Sequence, residues 1–210
     1  MIKKPITTLF NYKTLYPKYE HYYYRNILKM YDKPETYSGL VDLCLNKKEV
    51  LTSKEIYFSS NLKFNYTIKK AKKNIFSKRV TIKKIENTTI LLHKTRIGGY
   101  PAKLVMHFYQ NNLFLFNYTF SNLSNNDKSI IKNVLKEKYL NNNTQFSFSK
   151  NRIVDSLGNH IFIEDDVYFT INYISLTDDF FKMLNNIKEE LEIKKKVRKE
   201  LHKKELYNNL

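Results

Sequence analysis

Cysteine occurs once in this chain, at Cys44, glycine and proline four times each, and tryptophan not at all. A lone cysteine excludes an internal disulfide and the Cys-rich zinc modules, and it fits a reducing compartment. Few glycines and prolines, set against 42% hydrophobic and 15% aromatic residues, exclude a disordered basic tail, because burial of that much apolar surface offsets the entropy of ordering. No apolar run approaches the ~18 residues that cross a bilayer. The apolar stretch at 6–10 is too short for a signal-peptide core. A soluble protein of the cytoplasm, or of the inside of a phage particle, is therefore expected.

Acidic residues are the other shortage. Asp and Glu number 20 against 37 Lys and Arg, for a net charge of +17 and a pI near 9.7. An A/T-rich genome inflates Lys, Asn, Ile, Tyr and Phe, but it should inflate Glu as well, so the surplus of cations points to an anionic partner. A chain of 210 residues buries roughly 70% of its unfolded surface, enough for one main domain with extensions.

Periodicity divides the chain into a Tyr-rich N-terminal segment (1–52), an α+β core (53–178) and a basic C-terminal helix (179–210). In the first, Pro17 opens a helix over 17–31 that Pro34 ends. In the core, Thr67 caps a short helix with Ile68, Ala71, Ile75 and Phe76 inward. Strands follow at 79–85, 89–95, 103–110 and 113–120, separated by turns at Asn87, Gly98-Gly99 and Asn111-Asn112. A helix over 127–139, capped by Asn126 or Asp127, buries Ile130, Ile131, Val134 and Leu135. Strands return at 145–150, around Ile153, at 160–164 and at 167–174. The class is α+β: antiparallel β-meanders packed with short helices. Helix, meander, helix, meander is the pattern that a degenerate duplication of one unit leaves. The last helix, over 178–206, docks through Phe180, Leu184, Ile187 and Leu191. Its stripe breaks near Glu192, where Ile193, Val197 and Leu201 move to a rotated face.

Three features could carry function. Lys194, Lys195, Lys196, Arg198, Lys199, Lys203 and Lys204 crowd the terminal helix and could neutralise phosphates, although cations near a helix C-terminus also complement its dipole. Tyr16, Tyr19, Tyr22, Tyr23 and Tyr24, interleaved with lysines, offer stiff contact area with a polar tip and suit a partner surface. The hairpin over 103–120 is apolar on both faces if Tyr109 faces Phe114, His107 faces Phe116 and Val105 faces Tyr118. Core packing between two layers is the expected reason, and base stacking the alternative.

Catalytic patterns are thin. The five histidines show no metal-ligand spacing on one helical face, Cys44 reads as a small core residue, and Gly98-Gly99 opens no phosphate-binding helix. No cofactor or metal is expected. Asp155, Glu164, Asp165 and Asp166 sit around hairpins, where turn chemistry explains them. The expected function is a non-catalytic binding or assembly protein that docks in a larger, nucleic-acid-containing complex through a protein partner or a second copy. A phage or mobile-element accessory or virion protein suits the composition. The alternatives are direct nucleic-acid binding through the basic helix and a small metal-dependent nuclease using the loop carboxylates. No membrane contact is expected, since 193–206 lacks Trp and Phe.

Overall fold

Proline 34 begins a helix, just after helical residues 26–27 and 29–30 give way to a turn at 31–33. Its fixed φ and missing N–H suit the first helical position, and α1 (Pro34–Leu45) follows from it, with Glu35 in the first turn. The computed structural model describes residues 26–27, 29–58, 62–74, 80–83, 88–141 and 145–209. Most of the helix expected over 17–31 therefore lies outside the described residues.

Tyr37, Leu40 and Cys44 of α1 are buried, spaced to fall on one helical face. Burial also pushes the Cys44 thiol up to about 12, as suits a core residue. Arg152 closes the end of this helix. Its Nη1 donates to the carbonyls of Cys44 and Leu45, both at 3.1 Å, and to that of Lys47, while Nη2 meets Glu49 Oε2 at 3.2 Å. Cations suit helix C-termini because the last carbonyls lack intrahelical partners. The same arginine fixes where the chain turns into β1 (Lys48–Leu51).

Then come α2 (Ile68–Asn74), β2 (Val80–Lys83), β3 (Thr88–Ile97), β4 (Tyr100–Tyr109), β5 (Asn112–Phe120), α3 (Asn125–Leu140), β6 (Asn151–Val154), β7 (Asn159–Asp165), β8 (Phe169–Ser175) and α4 (Asp179–Asn209). All eight strands form one sheet in the order β1-β6-β7-β8-β5-β4-β3-β2. Among the described residues, only the β1–β6 pair is parallel. The α+β class and the meanders are thus as the periodicity indicated.

A four-stranded meander, β2-β3-β4-β5, and a three-stranded one, β6-β7-β8, meet at an antiparallel β5–β8 seam. Asn117 lies opposite Asn172 there, with Phe116 opposite Tyr173 and Tyr118 opposite Ile171. Each central strand thus carries an Asn-Tyr pair at the equivalent place. Each meander is also preceded by a helix that feeds the same core cluster, α2 through Ala71 and α3 through Leu135 and Tyr139. The order is thus helix, meander, helix, meander.

Helices cover both faces of the sheet. Leu104, Met106, Phe108, Phe116, Phe120 and Tyr173 pack with α2 and α3 on one face. Val105, Tyr109, Phe114, Leu115, Phe162 and Ile174 pack with α1 and α4 on the other. A strand buried on both sides has no polar face, which is why the β4–β5 hairpin reads as apolar throughout.

Three local details differ from expectation. The hairpin turn is Gln110-Asn111, with φ of 46° and 75°, because Tyr109 pairs with Asn112. A two-residue turn of this kind needs positive φ at both positions, and the twist it imparts matches that of the strands. Beyond it a bulge shifts the register, so His107 pairs with Leu115, Met106 with Phe116 and Leu104 with Tyr118. Phe114 is the extra residue, and it joins Leu115 on the α1 and α4 face. Residues 145–150 form no strand. Their alternation comes from Phe146 and Phe148, both buried and packed edge to face at 4.7 Å, on a segment held by turn bonds from Lys150 and Asn151 to the Ser147 carbonyl.

In α3, Ser124 is the cap: its Oγ accepts from Asp127 N at 3.1 Å and Asp127 Oδ2 accepts from Ser124 N at 3.0 Å. This capping box starts the helix at Asn125. Ile131, Leu135 and Tyr139, four residues apart, then face the sheet, whereas Ile130 and Val134 are exposed.

Candidate functional site: the projecting helix and a polar cleft

Helix α4 is anchored at its start and bare along the rest. Asp178 Oδ1 accepts from Phe180 N at 2.9 Å. Phe180 stacks on Phe114 at 4.1 Å and meets Tyr37 edge-on at 4.7 Å. Phe181 and Leu184 complete the anchor, whereas Leu191, expected to dock, is exposed because the helix is clear of the body from Glu189 to Tyr207. From Glu189 to Tyr207 every residue is exposed. At 1.5 Å per residue that is a span of roughly 30 Å.

Every cation singled out in the sequence lies on this bare stretch: Lys194, Lys195, Lys196, Arg198, Lys199, Lys203 and Lys204. Lys196, Lys199 and Lys203 share one stripe, at three- and four-residue spacing. Ile193, Val197 and Leu201 form another, and they are 61%, 54% and 57% exposed. Carboxylates are interspersed. Lys194 lies 3.9 Å from Glu190 and Lys195 lies 3.8 Å from Glu192, exposed pairs worth a few tenths of a kcal/mol each. Seven cations face five glutamates between Glu189 and Glu205, so the helix holds only a small share of the chain's +17. The other sequence candidates for partner binding, Tyr16, Tyr19, Tyr22, Tyr23 and Tyr24, lie outside the described residues.

Two of the loop carboxylates are engaged in hydrogen bonds or ion pairs. Asp155 is buried and accepts from Ile56 N, Leu157 N, Asn159 N and Asn159 Nδ2 at 2.8–3.0 Å. Asp165 receives Lys128 at 2.7 Å and Lys132 at 2.8 Å. His93 pairs with Leu104 and His107 with Ile90, so the tight Gly98-Gly99 turn keeps the two imidazoles apart. Among the described residues, no three His, Cys, Asp or Glu side chains come together as metal ligands.

No family model, curated protein or solved structure matches this chain. Among the described residues, no helix is long and apolar enough to cross a membrane.

A second feature was not picked out from the sequence. On the α1 face, the half of the sheet that α4 leaves uncovered is polar. Lys103 on β4, Asn117 and Thr119 on β5, Thr170 and Asn172 on β8 and Glu164 on β7 line the floor of a cleft of about 610 Å³. Tyr31, Leu40, Leu43, Val105 and Val167 line its apolar parts. Asn117 Nδ2 donates to Tyr31 Oη at 3.3 Å, Asn172 Nδ2 donates to Glu164 Oε1, and the Thr119 and Thr170 hydroxyls bond at 3.1 Å. The Oδ1 atoms of Asn117 and Asn172 are buried with no partner among the described residues. Burial raises the Glu164 carboxyl above its ordinary range, against the bond from Asn172.

The signal was there in the alternation. Asn117 and Thr119, like Thr170 and Asn172, are polar residues at period two within apolar strands. Their common face became visible only once β5 and β8 paired.

Proposed function

We propose that this is a non-catalytic assembly protein that uses the distal half of α4 to dock in a partner protein, within a larger complex that contains nucleic acid. One observation carries this reading: about five turns of helix leave the body without burying a residue, while displaying Ile193, Val197 and Leu201 in line. A long helix gains most of its stability from packing its apolar face. The partner that suits it offers an apolar groove with carboxylates at its rim. Between Ile193 and Tyr207 cations outnumber carboxylates seven to two, so pairing with a second copy brings like charge to like. The basic, A/T-rich composition keeps a phage or mobile-element particle as the setting.

The test is native purification at low salt of the full chain and of a Val197→Glu, Leu201→Glu variant, followed by mass photometry and absorbance ratios for bound nucleic acid. Both chains should melt together, since neither side chain is buried. The wild type should elute with a stoichiometric protein partner that the variant loses. Equal retention of the partner refutes the reading. Loss of binding on replacing Lys196, Lys199 and Lys203 by Gln, with Val197 and Leu201 immaterial, would transfer α4 to direct nucleic-acid binding. In that case six phosphate contacts predict an affinity that falls on the order of a thousandfold between 50 and 200 mM salt.

A further inference from the structure

We infer that the cleft between α1 and the β4-β5-β8-β7 floor binds a cationic head group rich in N–H donors, an ammonium or guanidinium, carried on an apolar body. The inference starts from hydrogen-bond inventory. Asn117 and Asn172 face each other across the central seam, almost wholly buried, and each presents an amide oxygen with no donor among the described residues. Leaving such an oxygen unpaired in the interior is costly, and here the two residues that carry them pair in register. The orientation of Asn172 is set by Glu164, because an ionised carboxylate can only accept and so takes the amide's N–H, not its oxygen. Its Oδ1 is therefore committed to accepting a bond from something else.

Charge points the same way. The charged side chains lining the cleft are Glu35, Glu164 and Asp166 against Lys103 alone. In a chain with nearly twice as many cations as acids, this is a local inversion of sign. An anion would find few donors there, whereas a group with several N–H bonds could satisfy both amide oxygens while its charge meets Glu164. The apolar lining from Leu40, Leu43 and Val105, with the rings of Tyr31 and Tyr168, accommodates a hydrocarbon or aromatic body. The volume lies within the range of roughly 300–1,000 Å³ typical of small-molecule sites.

The head group could belong to a free amine or to an arginine side chain of another protein. The experiment titrates the isotopically labelled full chain with phenethylamine, phenethylguanidine and a blocked arginine dipeptide, and with phenethyl alcohol and phenylacetate as neutral and anionic controls. At least one cationic probe should bind saturably at one site, shifting the side-chain NH₂ resonances of Asn117 and Asn172. Binding by the dipeptide alone assigns the site to a partner's arginine; binding by the small amines assigns it to a free ligand. Glu164→Gln should weaken binding by about tenfold or more without lowering the melting temperature, and Lys103→Met should strengthen it. Three results would each overturn the inference: no saturable binding of any cationic probe at millimolar concentration, equal binding of the alcohol, or indifference to Glu164→Gln. The site is independent of the docking helix, and the Val197→Glu, Leu201→Glu chain should bind the probes as the wild type does.

Discussion

Replacing Phe116 with alanine tests whether the aromatic sheet is core or contact surface. The ring is 1% exposed. It stacks on Tyr173 at 4.4 Å with planes 11° apart, and meets Phe58 edge-on at 5.4 Å and Phe64 at 5.5 Å. Truncating a buried phenylalanine costs about 3–5 kcal/mol through lost transfer energy and the cavity left behind. The stacked partner adds roughly 0.5–1.5 kcal/mol. Because the bulge and hairpin hold Phe116 in the middle of the sheet, little collapse into the void is expected. About 4–5 kcal/mol is a large part of the 5–15 kcal/mol that holds a domain together. It should lower the melting temperature by on the order of 10–15 °C for a chain of this size. Urea titrations of both chains give the measurement, with the midpoint falling and the slope preserved. A loss below about 1 kcal/mol, accompanied by loss of single-stranded nucleic-acid binding, would refute the reasoning and make the sheet a stacking platform.

Other perturbations report on single groups. Burial pushes the His107 imidazole down to about 3, with Tyr37 Oη 3.0 Å from its Nδ1. The unfolded chain therefore takes up the proton first as pH falls. Stability fully present above about pH 6.5 should be lost progressively toward pH 3, by up to about 1.4 kcal/mol per unit. His107→Gln should flatten that slope in urea midpoints taken across the window; an identical slope would contradict the burial. His160, pushed down to about 4, has the same sign and should account for part of what remains. Asp155→Asn turns an acceptor of four N–H groups into a mixed donor and should cost about 2–3 kcal/mol, read by the same titration. Unchanged stability would instead leave that carboxylate available for chemistry.

Much of the core architecture was legible in one dimension. Strands β3 to β5, β7 and β8 and helices α2 to α4 follow from apolar periodicity and turn residues, because both are local properties of the chain. β1 was not legible. Its four residues are mostly exposed, and it exists because Arg152 and the parallel pairing with β6 hold it. The alternating phenylalanines before β6 misled for the converse reason: period two describes where side chains point, and a loop with two anchors satisfies it as well as a strand does. Half of the α3 stripe was legible: Ile131 and Leu135 face the sheet with Tyr139, whereas Ile130 and Val134, one position round the helix, are exposed.

The bare end of α4 was visible beforehand, since a break in an apolar stripe is a property of the helix alone. The cleft was not. Asn117 and Asn172 are 55 positions apart, and nothing local says that they oppose each other or that α1 closes over them. Composition and periodicity alone determined an ordered α+β chain with a strong positive charge and a terminal helix whose second half cannot dock as its first half does. Only tertiary structure decided which strands meet at the centre. That meeting is what buries two amide oxygens beside a carboxylate, because hydrogen-bond satisfaction depends on neighbours in space that sequence order does not specify.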